Sequence, residues 1–102
     1  MGFFMDAFGQ IKLMFKDAKF EYDGVGQPTV RFNHGGFRYK AELGKTSIRL
    51  VVKIKDKSKV IDHVPYVRNA FSMQAFNAKI AQLQRDAVAK KMMLERMAAR
   101  SA

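Results

Sequence analysis

The sequence predicts an α+β fold of two layers, in which a three-stranded antiparallel meander is covered by an N-terminal helix and a long C-terminal helix. Three observations lead to this prediction. An amphipathic segment comes first, three runs of alternating apolar and polar residues follow across short turns, and a long segment without Gly or Pro comes last. With 102 residues, the chain is expected to form a single domain over residues 1–102.

The first helix is predicted over residues 3–19. Its apolar residues recur at alternating spacings of four and three, as expected for a helix with one buried face. These residues are Phe4, Phe8, Ile11, Phe15 and Ala18. A helix lying in a membrane surface is an alternative, but Asp6 and Asp17 offset most of the basic charge, so core packing is favoured. The segment from Asp23 to Pro28 is rich in Gly and is expected to be a loop.

The antiparallel sheet is predicted over residues 29–62. Its strands are expected at Thr29 to Asn33, Phe37 to Leu43 and Thr46 to Lys55, with a short fourth edge strand at Lys59 to Asp62. Turns that contain Gly separate the first three strands, as is typical of β-hairpins.

The tripeptide Gly44-Lys45-Thr46 has the spelling that ends a phosphate-binding P-loop. A P-loop needs a Gly five residues before Gly44, where this sequence has Tyr39. A P-loop also opens a helix, whereas the residues after Thr46 alternate like a strand. We therefore interpret the tripeptide as the turn of a β-hairpin.

The turns set the register of the strands, and the register decides which side chains share a face of the sheet. We expect Phe32 to lie opposite Phe37, and Leu43 opposite Thr46. The apolar residues of the strands then fall on one face, which the two helices must cover. Phe37 and Tyr39 would form an exposed platform for stacking bases only in a register inverted by one residue.

The opposite face of the predicted sheet is basic. Its candidate binding residues are Arg31, Arg38, Lys40, Arg49, Lys53 and Lys55. In the expected register, Arg31 lies opposite Arg38, and Lys40 lies opposite Arg49. Like charges that face each other destabilise a sheet, so binding of an anion explains this pattern better than solubility alone.

The last helix is predicted over residues 65–99. Its apolar residues follow a repeat of three and four that only Lys90 interrupts. Sustained heptads are typical of a coiled-coil seam, which predicts a homodimer with Leu83, Leu94 and Met97 in its interface. In the other interpretation, the first half of the helix covers the sheet and the rest projects into solvent. We expect a mixture, in which the Met-rich end of the helix is available for a protein contact.

The composition restricts the classes of function. A net charge of +10 and a pI near 10.2 suit a polyanionic partner. The absence of Cys excludes thiolate metal sites and Cys nucleophiles. Neither His34 nor His63 has a further ligand at metal-binding spacing, so no catalytic residue, metal or cofactor is expected. The sequence has no apolar run that could span a membrane and no signal-like N-terminus, which predicts a cytoplasmic protein without a membrane partner.

These observations together predict a small, non-enzymatic protein that binds DNA or RNA as a dimer. The contacts are expected to be directed at phosphates and to tolerate changes of sequence, because the exposed face offers cations and no aromatic rings. The alternative is a protein-interaction or assembly module, such as an accessory of a larger complex or a virion component, whose basic face binds an acidic protein.

Overall fold

The computed structural model describes residues 3–101, which form two helices and a five-stranded antiparallel sheet. The elements are α1 (Phe3–Met14), β1 (Lys19–Tyr22), β2 (Pro28–His34), β3 (Phe37–Leu43), β4 (Ser47–Lys55), β5 (Ser58–Pro65) and α2 (Met73–Ser101). The strands pair in chain order from β1 to β5, as a meander. The α+β class is confirmed. The sheet has five strands instead of three, because the predicted edge strand is a full strand, β5, and because β1 was not predicted.

Helix α1 ends at Met14 rather than at residue 19, and the residues after it turn into β1. The spacing of apolar residues is misleading here, because Phe15 and Ala18 continue the helical pattern from within a turn. Phe15 stacks on Phe32 with ring centroids 4.3 Å apart, and Ala18 is buried. Lys12 closes the helix by donating hydrogen bonds from Nζ to two carbonyl oxygens of the turn, at 3.1 and 2.9 Å.

Helix α2 begins at Met73 rather than at residue 65, and Ser72 is its N-cap. The Ser72 Oγ accepts a hydrogen bond from the backbone N–H of Ala75 at 3.2 Å. Strand β5 occupies the predicted start of the helix, and a tight turn follows in which Arg68 and Asn69 have left-handed φ values of 54° and 61°. Asn69 is a residue that adopts this conformation readily, but Arg68 is not, so the turn lacks the Gly that most often marks it in a sequence.

The register differs from the predicted one by two residues at both hairpins. Phe32 lies opposite Tyr39 rather than Phe37, and Leu43 lies opposite Ile48. The first turn is shorter than expected and the second is longer, so the two strand pairs shift along each other. A shift of two residues is a whole side-chain period, and each strand side chain therefore stays on its predicted face.

The core lies between one face of the sheet and the helices. The buried sheet residues are Val30, Phe32, Phe37, Tyr39, Ala41, Leu43, Ile48, Leu50, Val52 and Val64. The buried helix residues are Ala7, Ile11, Phe76, Ile80, Leu83 and Ala87. An ion pair between Lys79 of α2 and Asp62 of β5, at 2.9 Å, fixes the helix across the edge of the sheet. Beyond Ala87 no residue of α2 up to Arg100 is fully buried, so the end of this 29-residue helix extends past the core.

Gln84 of α2 connects the helix to β3 and to the turn between β2 and β3 through two hydrogen bonds. Its Oε1 accepts a hydrogen bond from the Tyr39 hydroxyl at 2.8 Å, and its Nε2 donates one to the Gly35 carbonyl at 3.0 Å. Burial raises the pKa of Tyr39 to about 12, so the hydroxyl keeps its proton and stays a donor at neutral pH. Gly35 has a φ of 58°, in the left-handed region, and an added Cβ would collide with the Gln84 amide.

Replacing Gly35 by Ala is expected to lower the free energy of unfolding by about 1–3 kcal/mol, because Ala is strained in the left-handed region and would displace Gln84 from its hydrogen bonds. Gly9→Ala in α1 is the matched control. No atom lies within 4 Å of its added Cβ, and Ala should stabilise the helix by up to about 1 kcal/mol. Urea denaturation measures both changes. Equal effects of the two substitutions would contradict the stabilising role of the Gln84 hydrogen bonds.

Candidate functional site

The outward face of the sheet carries two neighbouring rows of cations. In the first row, directly paired residues of β1, β2 and β3 are Lys19, Arg31 and Lys40. In the second row, directly paired residues of β3, β4 and β5 are Arg38, Lys53 and Lys59. Neighbours within a row are separated by roughly 5 Å, the distance between strands, and the rows by roughly 7 Å along the strands. We call these six residues the basic face.

The predicted binding residues lie on this side of the sheet, but not in the predicted pairs. Arg31 lies opposite Lys40 rather than opposite Arg38, and Arg38 lies opposite Lys53. The predicted pair of Lys40 with Arg49 is likewise wrong, because the shift of register places Arg49 opposite an acid. The structure therefore keeps the cross-strand like charges that the sequence predicts, while it changes their partners.

Glu42 neutralises one end of the face. Its carboxylate accepts from Arg49 at 2.9 Å and from Lys40 at 3.2 Å. Partial burial raises the pKa of Glu42, but the hydrogen bonds from Arg49 and Lys40 outweigh it and hold that pKa below its usual value. Among residues 3–101, Arg31 also pairs with an acid, Glu21, whereas the second row has no salt bridge.

A shallow basin of about 640 Å³ lies over the middle of the basic face. Five cations of the two rows line it, together with one acid, Asp17, and with Phe32, Asn33, Tyr39 and Val51. The Asp17 carboxylate is occupied within the protein, because it accepts hydrogen bonds from the backbone N–H of Asn33 at 3.0 Å and from its Nδ2 at 2.9 Å. The hydrogen bonds from Asn33 do not remove the charge of Asp17, but five cations line the basin against this one acid, so its net charge is positive.

The basic face contains two residues, Lys19 and Lys59, that the sequence-based prediction of the binding site does not include. The sequence pattern places Lys19 at the end of the first helix, and it places Lys59 in a short edge strand without defining the register of that strand. The alternation of Lys19-Phe20-Glu21-Tyr22 was a usable signal, since only Phe20 in this run turns toward the core. Lys55, which was predicted for the face, follows a bulge at the end of β4 and lies outside the basin.

The residues predicted for a dimer interface lie at different depths. Leu83 is fully buried under the sheet of its own chain. Leu94 is half-buried, and Met97, near the end of α2, is 56% exposed. The first half of α2 thus covers the sheet, as one interpretation of the sequence had it, and the surface left for a second chain comes from the end of the helix. The dimer stays a prediction.

Within residues 3–101, His, Asp and Glu form no group of three that could hold a metal ion. No helix in this part of the chain is long and apolar enough to cross a membrane. No protein-family model, no curated protein and no solved structure matches the chain. The basic face is therefore the feature of the molecule that points to a function.

Arg38→Gln and Lys53→Gln should each leave the free energy of unfolding unchanged or raise it by a few tenths of a kcal/mol, because each removes directly opposed like charges. Arg49→Gln should lower it by up to about 1 kcal/mol, since Glu42 loses its closest partner. Thermal and urea denaturation of the three variants provide the measurement. A large loss of stability in Arg38→Gln would show that the residue is structural.

Proposed function

We propose that this chain is a non-enzymatic nucleic-acid-binding protein whose basic face contacts phosphates and whose binding unit is a dimer. The observation that carries the proposal is the pair of cation rows, whose six residues form four cross-strand pairs of like charge. Such neighbours lower the stability of a sheet, and a bound polyanion relieves their repulsion. The second row, which lacks acidic partners among the described residues, is the expected centre of contact.

The pattern of charge favours a nucleic acid over an acidic protein. A strand of DNA or RNA presents phosphates repeatedly along its length, and the basic face presents cations repeatedly along two rows. The central part of a protein–protein interface is usually rich in Tyr, Trp or Met and poor in Lys. The basin instead is lined by five Lys and Arg residues. Its apolar residues are Val51 together with Phe32 and Tyr39, and these two are almost fully buried in the core.

Affinity should fall steeply with salt. If the six cations of the basic face neutralise six phosphates, the logarithm of the binding constant should fall against the logarithm of the salt concentration with a slope of about −5 for duplex DNA, or about −4 for single strands. Lys53→Gln and Arg38→Gln should each reduce that slope by about one without changing sequence preference. Fluorescence anisotropy with single- and double-stranded DNA and RNA, over a series of salt concentrations, measures it.

Two further variants make this experiment decisive. Arg85→Gln removes the same charge from an exposed position on α2, in the layer on the other side of the sheet, and should leave the slope unchanged. Glu42→Gln releases Lys40 and Arg49 from their acid and should tighten binding. Absence of binding to all four nucleic acids at low salt would refute the proposal and favour an acidic protein partner.

The proposed dimer joins two chains through the projecting end of α2. Leu94 continues the line of Leu83 and Ala87 beyond the core, as in a helix that packs on a sheet first and on a second helix afterwards. A dimer presents two basic faces, and their combined avidity for one long strand exceeds that of a single face.

Leu94→Glu should shift the protein toward a monomer in sedimentation velocity, because it places a charge in the apolar seam. Met92→Glu is the control, since Met92 is 49% exposed on the opposite side of the same helix and should not affect the seam. A wild-type protein that sediments as a monomer at high micromolar concentration would contradict the dimer.

A further inference from the structure

A second concave site lies at the end of the sheet where β3 begins and β4 ends. This cleft has a volume of about 310 Å³. It opens because the β3–β4 ladder ends at the pair of Arg38 and Lys53, while β4 bulges between Lys53 and Lys55. On its other side lies the turn between β2 and β3, in which Gly36 has a φ of 83°. Two hairpin turns and the side of α2 therefore bound the cleft.

Four cations from three elements line the cleft. They are Arg38 of β3, Lys53 and Lys55 of β4, and Lys91 of α2. The lining contains one acid, Asp56. Among residues 3–101, none of the four cations takes part in a salt bridge. The cleft thus gathers an excess of positive charge that the protein itself does not neutralise.

Lys91 lies beside an aromatic ring. Its Nζ lies 5.9 Å from the centroid of the Phe37 ring, near the outer limit of a cation–π contact, and this contact favours a position of the ammonium group at the cleft. Phe37 itself is only 8% exposed, which is too little for a base to stack on it. The ligand that fits is therefore a compact anion rather than an aromatic ring.

We propose that the cleft binds a phosphate monoester, the group that ends a phosphorylated nucleic-acid strand. The inference rests on the proposed function for the source of this ligand. Arg38 and Lys53 belong both to the second row of the basic face and to the cleft, so a strand on the basic face leads into it. A phosphate monoester carries nearly two negative charges at pH 7, whereas each internal phosphate carries one. A site with four cations favours the more highly charged group.

The test compares one internally labelled single-stranded oligonucleotide in three forms: with a 5′-phosphate, with a 3′-phosphate, and with neither. One phosphorylated form should bind roughly tenfold more tightly than the unphosphorylated strand, as expected from a few exposed ion pairs. Lys91→Ala should abolish this preference and leave the Kd of the unphosphorylated strand unchanged. Lys91→Arg should keep the preference. Arg96→Ala, which removes an exposed cation of α2 outside the cleft, should keep it as well.

Competition with 5′-AMP identifies the source of the phosphate. If the mononucleotide occupies the cleft as tightly as the phosphorylated strand does, the ligand is a free nucleotide and the assignment to strand ends is overturned. Equal Kd values for the three strands overturn the cleft proposal alone and leave the proposed function intact. Failure of all three single strands to bind overturns this inference, and it overturns the proposed function as well when the other nucleic acids of the anisotropy series also fail to bind at low salt.

Discussion

Burial of one face of the meander under α2 is the constraint on which the rest of this structure depends. The chain can cover only one side of the sheet with its long helix, and strand side chains alternate between the two sides. Every second residue of β2, β3 and β4 must therefore be apolar, and the residues between them are free to be charged. The basic face is the outward counterpart of the core, and both are fixed by the same alternation.

The charges of the basic face are held at short distances by strands that the core makes rigid. Flexible Lys and Arg side chains on a loop could move apart, whereas here their backbones stay roughly 5 Å from each other across the ladder. Glu21 and Glu42 offset part of the repulsion, and both lie at the same end of the face. The second row keeps its full charge, and this row continues into the cleft beside Lys91.

Helix α2 serves two regions of the molecule. Phe76, Ile80 and Leu83 pack on the sheet, and Gln84 fixes the turn that begins β3. Farther along, Lys91 borders the cleft, and the helix then passes the edge of the core. Its length, roughly 44 Å at 1.5 Å per residue for 29 residues, allows one element to close the core and also reach beyond it.

The sequence by itself determined the α+β class, four of the five strands and, for β2, β3 and β4, the face on which each side chain lies, because period-two alternation survives a shift of register by two residues. Only the tertiary structure decided the partners of Arg31, Arg38 and Lys40, since turn length sets register and Gly occurs in short and long turns alike. It also decided that Lys19 lies beside Arg31, because the alternation of a four-residue strand indicates its two faces but not its neighbour in the sheet. The cleft depends on residues far apart in sequence, Phe37 and Lys91, which packing alone brings together.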